Sequence, residues 1–230
     1  MINVDLHVHS CLSPCGSDEM SPFDLVGIAK LSGIDLIALT DHNTSKNCPA
    51  AAAAAGEYGM GFIPGMEATT SEDIHCVCLF PTLEKALAFD AEWETHMMKF
   101  PNRPDIFGNQ LLVRPDGETE ELDWLLISTS DVSVIDLPAL VEDFGGICYP
   151  AHTDRDANGL FAILGTWPPE LKTPAAEIRG DTPPAGLPDG IRLVRGSDAH
   201  RIEDIPEGGF ALPLSSPDFG ALCEYLGFSR

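Results

Sequence analysis

The chain has 230 residues, a hydrophobic fraction of 44% and a formal net charge of −23, from 13 basic and 36 acidic side chains. A chain of this length can bury a hydrophobic core without disulfide bonds. So acidic a surface repels phosphate backbones, and we expect nucleic acid to be disfavoured as a partner. No apolar run is long enough to span a bilayer, so we expect no association with a membrane.

The cysteine count and the start of the chain both bear on the cellular compartment. There are seven cysteines, an odd number for a chain of this size, which does not suggest a disulfide framework. The first predicted strand begins at Ile2, which leaves no room for a signal peptide. We therefore expect a cytoplasmic protein.

Strands and helices alternate along the first hundred residues. Ser21 and Pro22 are typical of a helix start, and Ile34–Leu39 is wholly apolar, as in a strand that is buried on both faces. The predicted strands are Ile2–His9, Ile34–Leu39, Phe62–Pro64 and His75–Phe80, and the predicted helices are 22–31, Pro49–Tyr58 and Pro81–Lys99. This alternation predicts a parallel α/β sheet or barrel.

The alternation loosens at residues 100–131. Asn109–Val113 and Trp124–Ile127 flank the turn sequence Pro115-Asp116-Gly117, which predicts an inserted β-hairpin. The remaining predicted elements are the helices Asp136–Phe144 and Pro217–Phe228 and the strands Ile147–Pro150, Ala176–Ile178 and Ile191–Arg195. We see no boundary between domains and expect a single domain over residues 1–230.

Six of the seven histidines follow or end an apolar, strand-like run: His7, His9, His42, His75, His152 and His200. In α/β barrels, the loops at the carboxyl ends of the strands build the active site. His7 and His9 are two residues apart on one strand, so both imidazoles point to the same side and can reach one ion. Each histidine alone could be a core or rim residue, but so many unpartnered imidazoles would be costly. The set therefore predicts a shared metal site.

The motifs around these histidines resemble those of the polymerase and histidinol phosphatase (PHP) family. The motifs are Asp5–Ser10, Leu39–Asn43, Gly65–Glu67, His75, Pro150–His152 and Gly196–His200, which occur in the order of the family and span nearly the whole chain. The resemblance implies a distorted (β/α)7 TIM-like barrel, here with the hairpin inserted. It also implies a phosphoric ester hydrolase with two or three divalent metal ions.

The resemblance further implies which residues hold each ion. His7, His9, Glu67 and Asp198 would hold the first ion, Glu67 would bridge to a second that His75 and His152 complete, and His42 and His200 would hold a third. A further ligand is expected on the loop Cys11–Met20, for which we predict Asp18, with Glu19 as the alternative. Nitrogen and carboxylate ligands suit manganese, iron or zinc, and no cysteine is needed.

Catalysis is assigned to Glu67, Asp198 and His200, with a metal-bridged hydroxide attacking phosphorus. Arg155 and Arg201 lie close in sequence to predicted ligands, and either could bind a phosphate bidentately. The alternative for each arginine is an ordinary surface ion pair with one of the many acids.

The predicted substrate is a phosphate ester of a small metabolite: a nucleotide, a sugar phosphate or histidinol phosphate. Two other functions stay open. One is a PHP-type exonuclease, against which the net charge counts. The other is a metal-binding regulatory domain without turnover, against which the full ligand set counts.

Overall fold

A computed structural model describes residues 1–228 as a mixed α/β fold. The strands are β1 Ile2–Val8, β2 Leu36–Leu39, β3 Gly61–Thr69, β4 His75–Leu79, β5 Leu111–Val113, β6 Thr119–Glu121, β7 Ile147–Pro150, β8 Ala175–Glu177, β9 Arg192–Val194 and β10 Phe210–Leu212. The α-helices are α1 Pro22–Leu31, α2 Cys48–Tyr58, α3 Leu83–His96, α4 Pro104–Phe107, α5 Leu137–Asp143, α6 Leu160–Leu164 and α7 Phe219–Leu226, and a 3-10 turn covers Ile202–Asp204. Within residues 1–228, no helix is long and apolar enough to cross a membrane.

The central sheet has six strands in the order β10-β1-β2-β3-β4-β7. Strands β1, β2 and β3 are parallel, whereas β4 runs antiparallel to β3, and β7 runs antiparallel to β4. The short parallel pair β8–β9 connects the segment after β7 to strand β1, because Thr153 N donates to Glu177 O (2.8 Å) and Asp198 N donates to His7 O (2.8 Å). The predicted α/β class is confirmed as a half-barrel, but the count of seven β/α units is not.

The helices bury both faces of the sheet. Helix α1 begins as predicted, with Pro22 in its first turn and the Ser21 side chain accepting a hydrogen bond from Asp24 N. Helix α2 ends at Gly59, whose φ of 59° lies in the left-handed region that favours glycine. On the same face, α3 contributes Phe89 and Trp93 to a fully buried core, and α7 packs against the opposite face. With both faces covered, polar side chains become accessible at the rim, where the strands end.

The predicted hairpin is present, but its second strand is Thr119–Glu121 and not Trp124–Ile127. The prediction was wrong because the turn closes early: Arg114 N donates to Glu118 O (2.8 Å), so the residues that follow at once pair with Leu111–Val113. Trp124 instead forms an isolated bridge with Pro101. The hairpin is anchored to the first-strand loop, because Leu111 N donates to Cys11 O (2.8 Å).

Gly196 packs directly against His7 of strand β1. A Cβ at this position would lie 2.3 Å from the Cβ of His7, which no packing adjustment of a flexible side chain could relieve. We expect Gly196→Ala to lower the free energy of unfolding by about 1–3 kcal/mol. A methyl group added at Gly56 in α2 would meet no atom within 4 Å, so Gly56→Ala is the matched control and should raise stability by about 0.5–1 kcal/mol. Urea unfolding of both variants measures the free energy of unfolding. Equal values for the two variants would contradict the prediction.

Candidate metal centre

Eight of the predicted side chains converge on one cluster around Glu67: His7, His9, His42, Glu67, His75, His152, Asp198 and His200. Nitrogen atoms of five imidazoles lie close to the Glu67 carboxylate, at 3.2 Å (His7), 3.3 Å (His9), 2.9 Å (His42), 2.9 Å (His75) and 3.0 Å (His152). Asp198 Oδ1 lies 3.3 Å from His9 Nε2. Glu67 is fully buried, so this carboxylate is the centre of the cluster.

The strands and the loops after them deliver these groups. Strand β1 carries His7, and His9 follows directly after its end. The antiparallel pairing of β3 with β4 places His75 close to Glu67. His152 and Asp198 follow β7 and β9 with positive φ angles of 27° and 54°. Non-glycine residues adopt such angles at a cost of about 1–3 kcal/mol, and they cluster at functional sites.

The cluster fits divalent cations better than it fits a network of protein groups alone. His42 Nδ1 lies 2.9 Å from Glu67 Oε2, yet neither atom completes a hydrogen bond of acceptable geometry, and His152 Nδ1 is likewise unsatisfied. The Nε2 atoms of His7 and His9 face each other at 3.1 Å. Buried polar atoms without hydrogen-bond partners lower the stability of the fold. Imidazole nitrogen and carboxylate oxygen are ligands that manganese, iron and zinc accept.

Three groups of ligand atoms lie within 4.8 Å of one another and could each hold an ion. They are His7, His9, Glu67 and Asp198; His42, Glu67 and His75; and His9, His42 and His200. The first group has the same members as the predicted first set. In the second group His42 stands where His152 was predicted, although His152 also contacts Glu67.

The charge states of the cluster follow from burial and from the neighbouring charges. Burial alone would raise the pKa of Glu67, but the imidazoles around it, led by His75 and His7, hold it well below its ordinary value. Burial lowers the pKa of His75 and of His200, which keeps their nitrogen lone pairs free. Burial also opposes protonation of His42, but the Glu67 charge outweighs it and raises the pKa of His42 to about 10. A cation that binds His42 must therefore displace a proton.

Asp18 is not brought into the cluster. Its side chain is exposed, and its Oδ2 accepts a hydrogen bond from Asn109 Nδ2 (2.7 Å). Glu19, the alternative ligand, is exposed as well. Two residues of this loop do approach the cluster: Ser13 lies beside His9, and Cys15 lies beside His42. The sequence pattern carried no signal for either residue, because the ligand on this loop was expected to be a carboxylate, Asp18 or Glu19.

A buried carboxylate that sequence reasoning missed, Glu177, orients the ligands. Both of its oxygens lie near His7 Nδ1, at 3.0 and 3.1 Å, and its Oε1 accepts a hydrogen bond from His152 N (3.1 Å). On the other side, His9 Nδ1 lies 2.9 Å from Ser13 Oγ. Partners of this kind fix the tautomer and orientation of a ligating imidazole. The one sequence signal for Glu177 was the presence of an acidic residue within the short apolar strand β8.

Removing the Glu177 charge should weaken metal binding without unfolding the chain. We expect Glu177→Gln to lower metal affinity by about 10–100-fold, the usual effect of losing such an orienting partner. Glu72→Gln is the matched control, because Glu72 accepts a hydrogen bond from Val134 N and contacts none of the histidines. Competition of each variant with a chelator measures the affinity, and unchanged affinity in Glu177→Gln would refute an orienting role.

Two arginines approach the cluster from the solvent side. Asp198 Oδ2 lies 3.2 Å from Arg155 Nη1 and 2.9 Å from Arg179 Nη1, and both arginine side chains are partly exposed. Arg155 was singled out in the sequence, whereas Arg179 was not, because it lies far from any histidine along the chain. Arg201 is exposed, and within residues 1–228 its side chain makes no ion pair or hydrogen bond.

A cavity of about 410 Å³ opens above the cluster. Its wall is formed by Cys15, His42, Asp73, His75, Ile127, Arg155, Asn158 and His200. Ile127 belongs to the inserted segment, so the insertion contributes an apolar surface to this cavity. The ligand cluster, one cationic side chain and an apolar wall therefore share one accessible space.

The sequence profile of the PHP domain matches residues 5–122, slightly more than half of the chain. The chain belongs to the PHP domain family. The matched residues carry His7, His9, His42, Glu67 and His75, and the PHP domain resemblance predicted from the sequence motifs is confirmed.

Two relatives of the PHP domain match over shorter stretches. The 3',5'-nucleoside bisphosphate phosphatase of Chromobacterium violaceum is 36% identical over 77 residues, which is 34% of this chain and 26% of the relative. The 5'-3' exoribonuclease of Haemophilus influenzae is 38% identical over 78 residues, which is 33% of this chain and 27% of the relative. The matched part thus spans about a quarter of the length of these curated relatives.

Solved structures share the fold of this PHP domain chain over almost its full length. The lesion-specific endonuclease of Pyrococcus furiosus superposes with a TM-score of 0.67 at 16% identity, over 99% of this chain and 56% of the endonuclease. An endonuclease Q in complex with a 27-mer duplex substrate gives a TM-score of 0.61 at 18% identity, over 87% and 49% of the two chains. At these identities the likeness is one of fold.

These comparisons contradict the expectation that nucleic acid is disfavoured as a partner. A PHP relative is named an exoribonuclease, and a protein of the same fold is bound to a DNA duplex. The inference failed because a net charge of −23 is a sum over the whole chain. The charge that a substrate meets is local, and here it includes Arg155 on the cavity wall.

Proposed function

We propose that this PHP domain chain is a metal-dependent phosphoesterase, a phosphoric ester hydrolase that works with two or three divalent ions of manganese, iron or zinc. The observation that carries the proposal is the buried Glu67 carboxylate surrounded by five imidazoles, two of which, His42 and His75, line an accessible cavity. Unsatisfied buried atoms on His42, His152 and Glu67 support ion binding in this cluster. Arg155 on the cavity wall supports an anionic substrate.

The ligand roles proposed for the chain divide the donor atoms among three ions. His7, His9, Glu67 and Asp198 would hold one ion, Glu67 would share a second with His75 and His152, and His42 and His200 would hold a third. Divalent ions bound there supply Lewis acidity towards a phosphoryl group. Glu67 and Asp198 are proposed as the catalytic carboxylates, and His200 as the catalytic residue nearest the cavity opening.

The side chains above the cluster would bind and orient the substrate. Arg155 and Arg179 each hold one N–H group on Asp198 Oδ2, and their remaining donors suit the oxygens of a phosphoryl group. Ile127 offers an apolar surface to the organic part of the ester.

The size of the cavity favours a substrate of one nucleotide or less. Pockets for small molecules measure about 300–1,000 Å³, and this one, at about 410 Å³, lies at the lower end. We therefore propose a nucleotide phosphate as the reacting unit, either free or at the end of a strand. A sugar phosphate or histidinol phosphate is the second choice. The names of the phosphatase and exoribonuclease relatives support the first.

Phosphate release from a graded set of substrates tests the proposal. The chain, reconstituted with manganese, iron or zinc, is offered p-nitrophenyl phosphate, a nucleoside 3',5'-bisphosphate, a 5'-phosphorylated oligonucleotide and a sugar phosphate. We expect metal-dependent hydrolysis, fastest with a nucleotide substrate, and none from metal-free protein. Absence of hydrolysis with every substrate and every metal would sink the proposal and favour a domain that binds metal without turnover.

A further inference from the structure

We propose that Asp41 is a positioning residue that sets the ligand atom of His9 through the hydroxyl group of Ser13. By accepting the hydrogen bond of this hydroxyl, Asp41 leaves Ser13 able only to accept from His9. His9 must then carry its proton on Nδ1 and present Nε2 to an ion. This Asp41–Ser13–His9 relay rests on the proposed function, because it concerns the first of the metal positions assigned there.

Asp41 reaches the loop after β1 because β1 and β2 are parallel neighbours. Thr40 N donates to Val8 O (2.9 Å), which aligns the ends of the two strands. Asp41 follows directly, and its backbone O accepts from Glu67 N (3.1 Å). Asp41 is thus fixed between the loop that carries Ser13 and the strand that carries Glu67.

The carboxylate of Asp41 is buried among hydrogen-bond donors. Its Oδ1 accepts from Ser10 N (2.7 Å) and Ser13 Oγ (2.8 Å), and its Oδ2 accepts from Ser10 Oγ (2.6 Å). Asp41 is only 1% exposed, so bulk water does not compete for these bonds. Because Oδ1 already accepts from the N–H group of Ser10, it faces Ser13 as an acceptor too. The single proton of the Ser13 hydroxyl is therefore directed at Asp41.

Two further groups fill the remaining capacity of the Ser13 hydroxyl. A serine hydroxyl has one proton and two lone pairs. His42 N donates to Ser13 Oγ (3.1 Å), and His9 Nδ1 lies 2.9 Å from the same oxygen. With the hydroxyl proton on Asp41 and one lone pair taken by His42 N, a single lone pair is left for His9. An imidazole nitrogen bonds to a lone pair by donating, so Nδ1 of His9 carries the proton.

The tautomer of His9 decides which of its atoms binds an ion. With the proton on Nδ1, the lone pair lies on Nε2, which is 3.3 Å from both Glu67 Oε2 and Asp198 Oδ1. Nε2 of His7 is 3.1 Å away, and its Nδ1 lies against Glu177. In both rings the hydrogen bond at Nδ1 leaves Nε2 as the ligand atom, so both can bind the same ion.

A pair of serine variants tests the relay. Ser10 and Ser13 are both fully buried and each hydroxyl donates to Asp41, but Ser13 also contacts His9, whereas Ser10 Oγ accepts from Asn47 Nδ2 (2.9 Å). In competition with a chelator, we expect Ser13→Ala to lower zinc affinity by about 10–100-fold, the usual effect of losing an orienting partner. Ser10→Ala, the matched control, should keep the wild-type affinity.

The proton on Nδ1 can be observed directly by NMR. In the zinc-loaded chain with isotopically labelled histidine, we expect the Nδ1–H group of His9 to be protected from exchange by its bond to Ser13. His9→Gln identifies the resonance. The signal should persist in Ser10→Ala and be lost to exchange in Ser13→Ala. A change of packing alone would lower the free energy of unfolding, measured in urea, without moving this resonance.

A double-mutant cycle assigns the effect to Asp41. Asp41→Ala removes the acceptor, so the Ser13 hydroxyl can turn its proton towards His9 Nδ1 and favour the tautomer that cannot bind zinc through Nε2. We expect Asp41→Ala to lower zinc affinity in the wild-type chain and to have little further effect in the Ser13→Ala chain, because the relay is already broken. Additive losses would overturn the relay. If the Asp41→Ala chain does not fold, the two serine variants decide.

The outcomes separate the relay from the proposed function. Wild-type zinc affinity in Ser13→Ala, or equal losses in Ser10→Ala and Ser13→Ala, overturns the relay and leaves the proposed phosphoesterase intact. A wild-type chain that binds no zinc and releases no phosphate from any substrate overturns the proposed function, and the relay with it.

Discussion

Replacing Glu67 with glutamine is expected to empty two metal positions at once and to lower phosphate release by more than about 100-fold. The substitution keeps the size of the side chain but removes its charge. Losing a partner that merely orients a ligand lowers metal affinity by about 10–100-fold. The effect of Glu67→Gln should be larger, because Glu67 itself belongs to two of the ligand groups. Its Oε1 faces His75 and His152, and its Oε2 faces His42, so both oxygens are engaged.

His200→Ala is the matched variant for this experiment. His200 belongs to one of the three ligand groups, whereas Glu67 belongs to two. Metal analysis of the purified, reconstituted variants should therefore show a loss of one position for His200→Ala and of two for Glu67→Gln. Equal losses in both variants would contradict the bridging role of Glu67 and would require a different division of the ligands among the ions.

Much of this centre could be predicted from the sequence because strands impose a simple geometry. His7 and His9 are separated by one residue on a strand, which is enough to place both imidazoles on the same side. Glu67, His152 and Asp198 each lie in or after an apolar run that forms a strand, and strand ends meet at the rim of a curled sheet. The hydrophobic pattern therefore predicts where the ligands lie.

Loop residues escaped prediction because their direction depends on particular hydrogen bonds. The loop after β1 is shaped by bonds such as Gly16 N to Ser13 O, which no periodic pattern reveals, so Asp18 was chosen although Ser13 and Cys15 are the loop residues that approach the cluster. Glu177 lies in a strand of three residues, too short to show an alternation. Strand direction is also absent from the pattern, which is why the antiparallel pairing of β3 with β4 was not foreseen.

Arg155→Ala and Arg179→Ala should each lower phosphate release by about 10–150-fold while the bound metal stays constant. A charge-assisted contact to a phosphoryl group contributes about 1.5–3 kcal/mol, which converts to this range of rates. Arg→Lys at either position should recover only part of the loss, because lysine cannot form the planar, two-point contact that arginine makes. Arg201→Ala is the control, because Arg201 is exposed and, unlike Arg155 and Arg179, makes no ion pair with Asp198.

The competing explanation is that both arginines only neutralise Asp198, whose Oδ2 lies within 3.2 Å of each. The two explanations differ in what should change. If the arginines serve Asp198 alone, their removal leaves one carboxylate oxygen without a partner, so metal affinity changes while KM for the phosphate ester does not. If they bind substrate, KM or kcat changes, and metal affinity does not. Steady-state kinetics measured beside metal titration of Arg155→Ala, Arg179→Ala and Arg201→Ala separates them, and wild-type kinetics in the first two variants would assign phosphate binding to the metal ions alone.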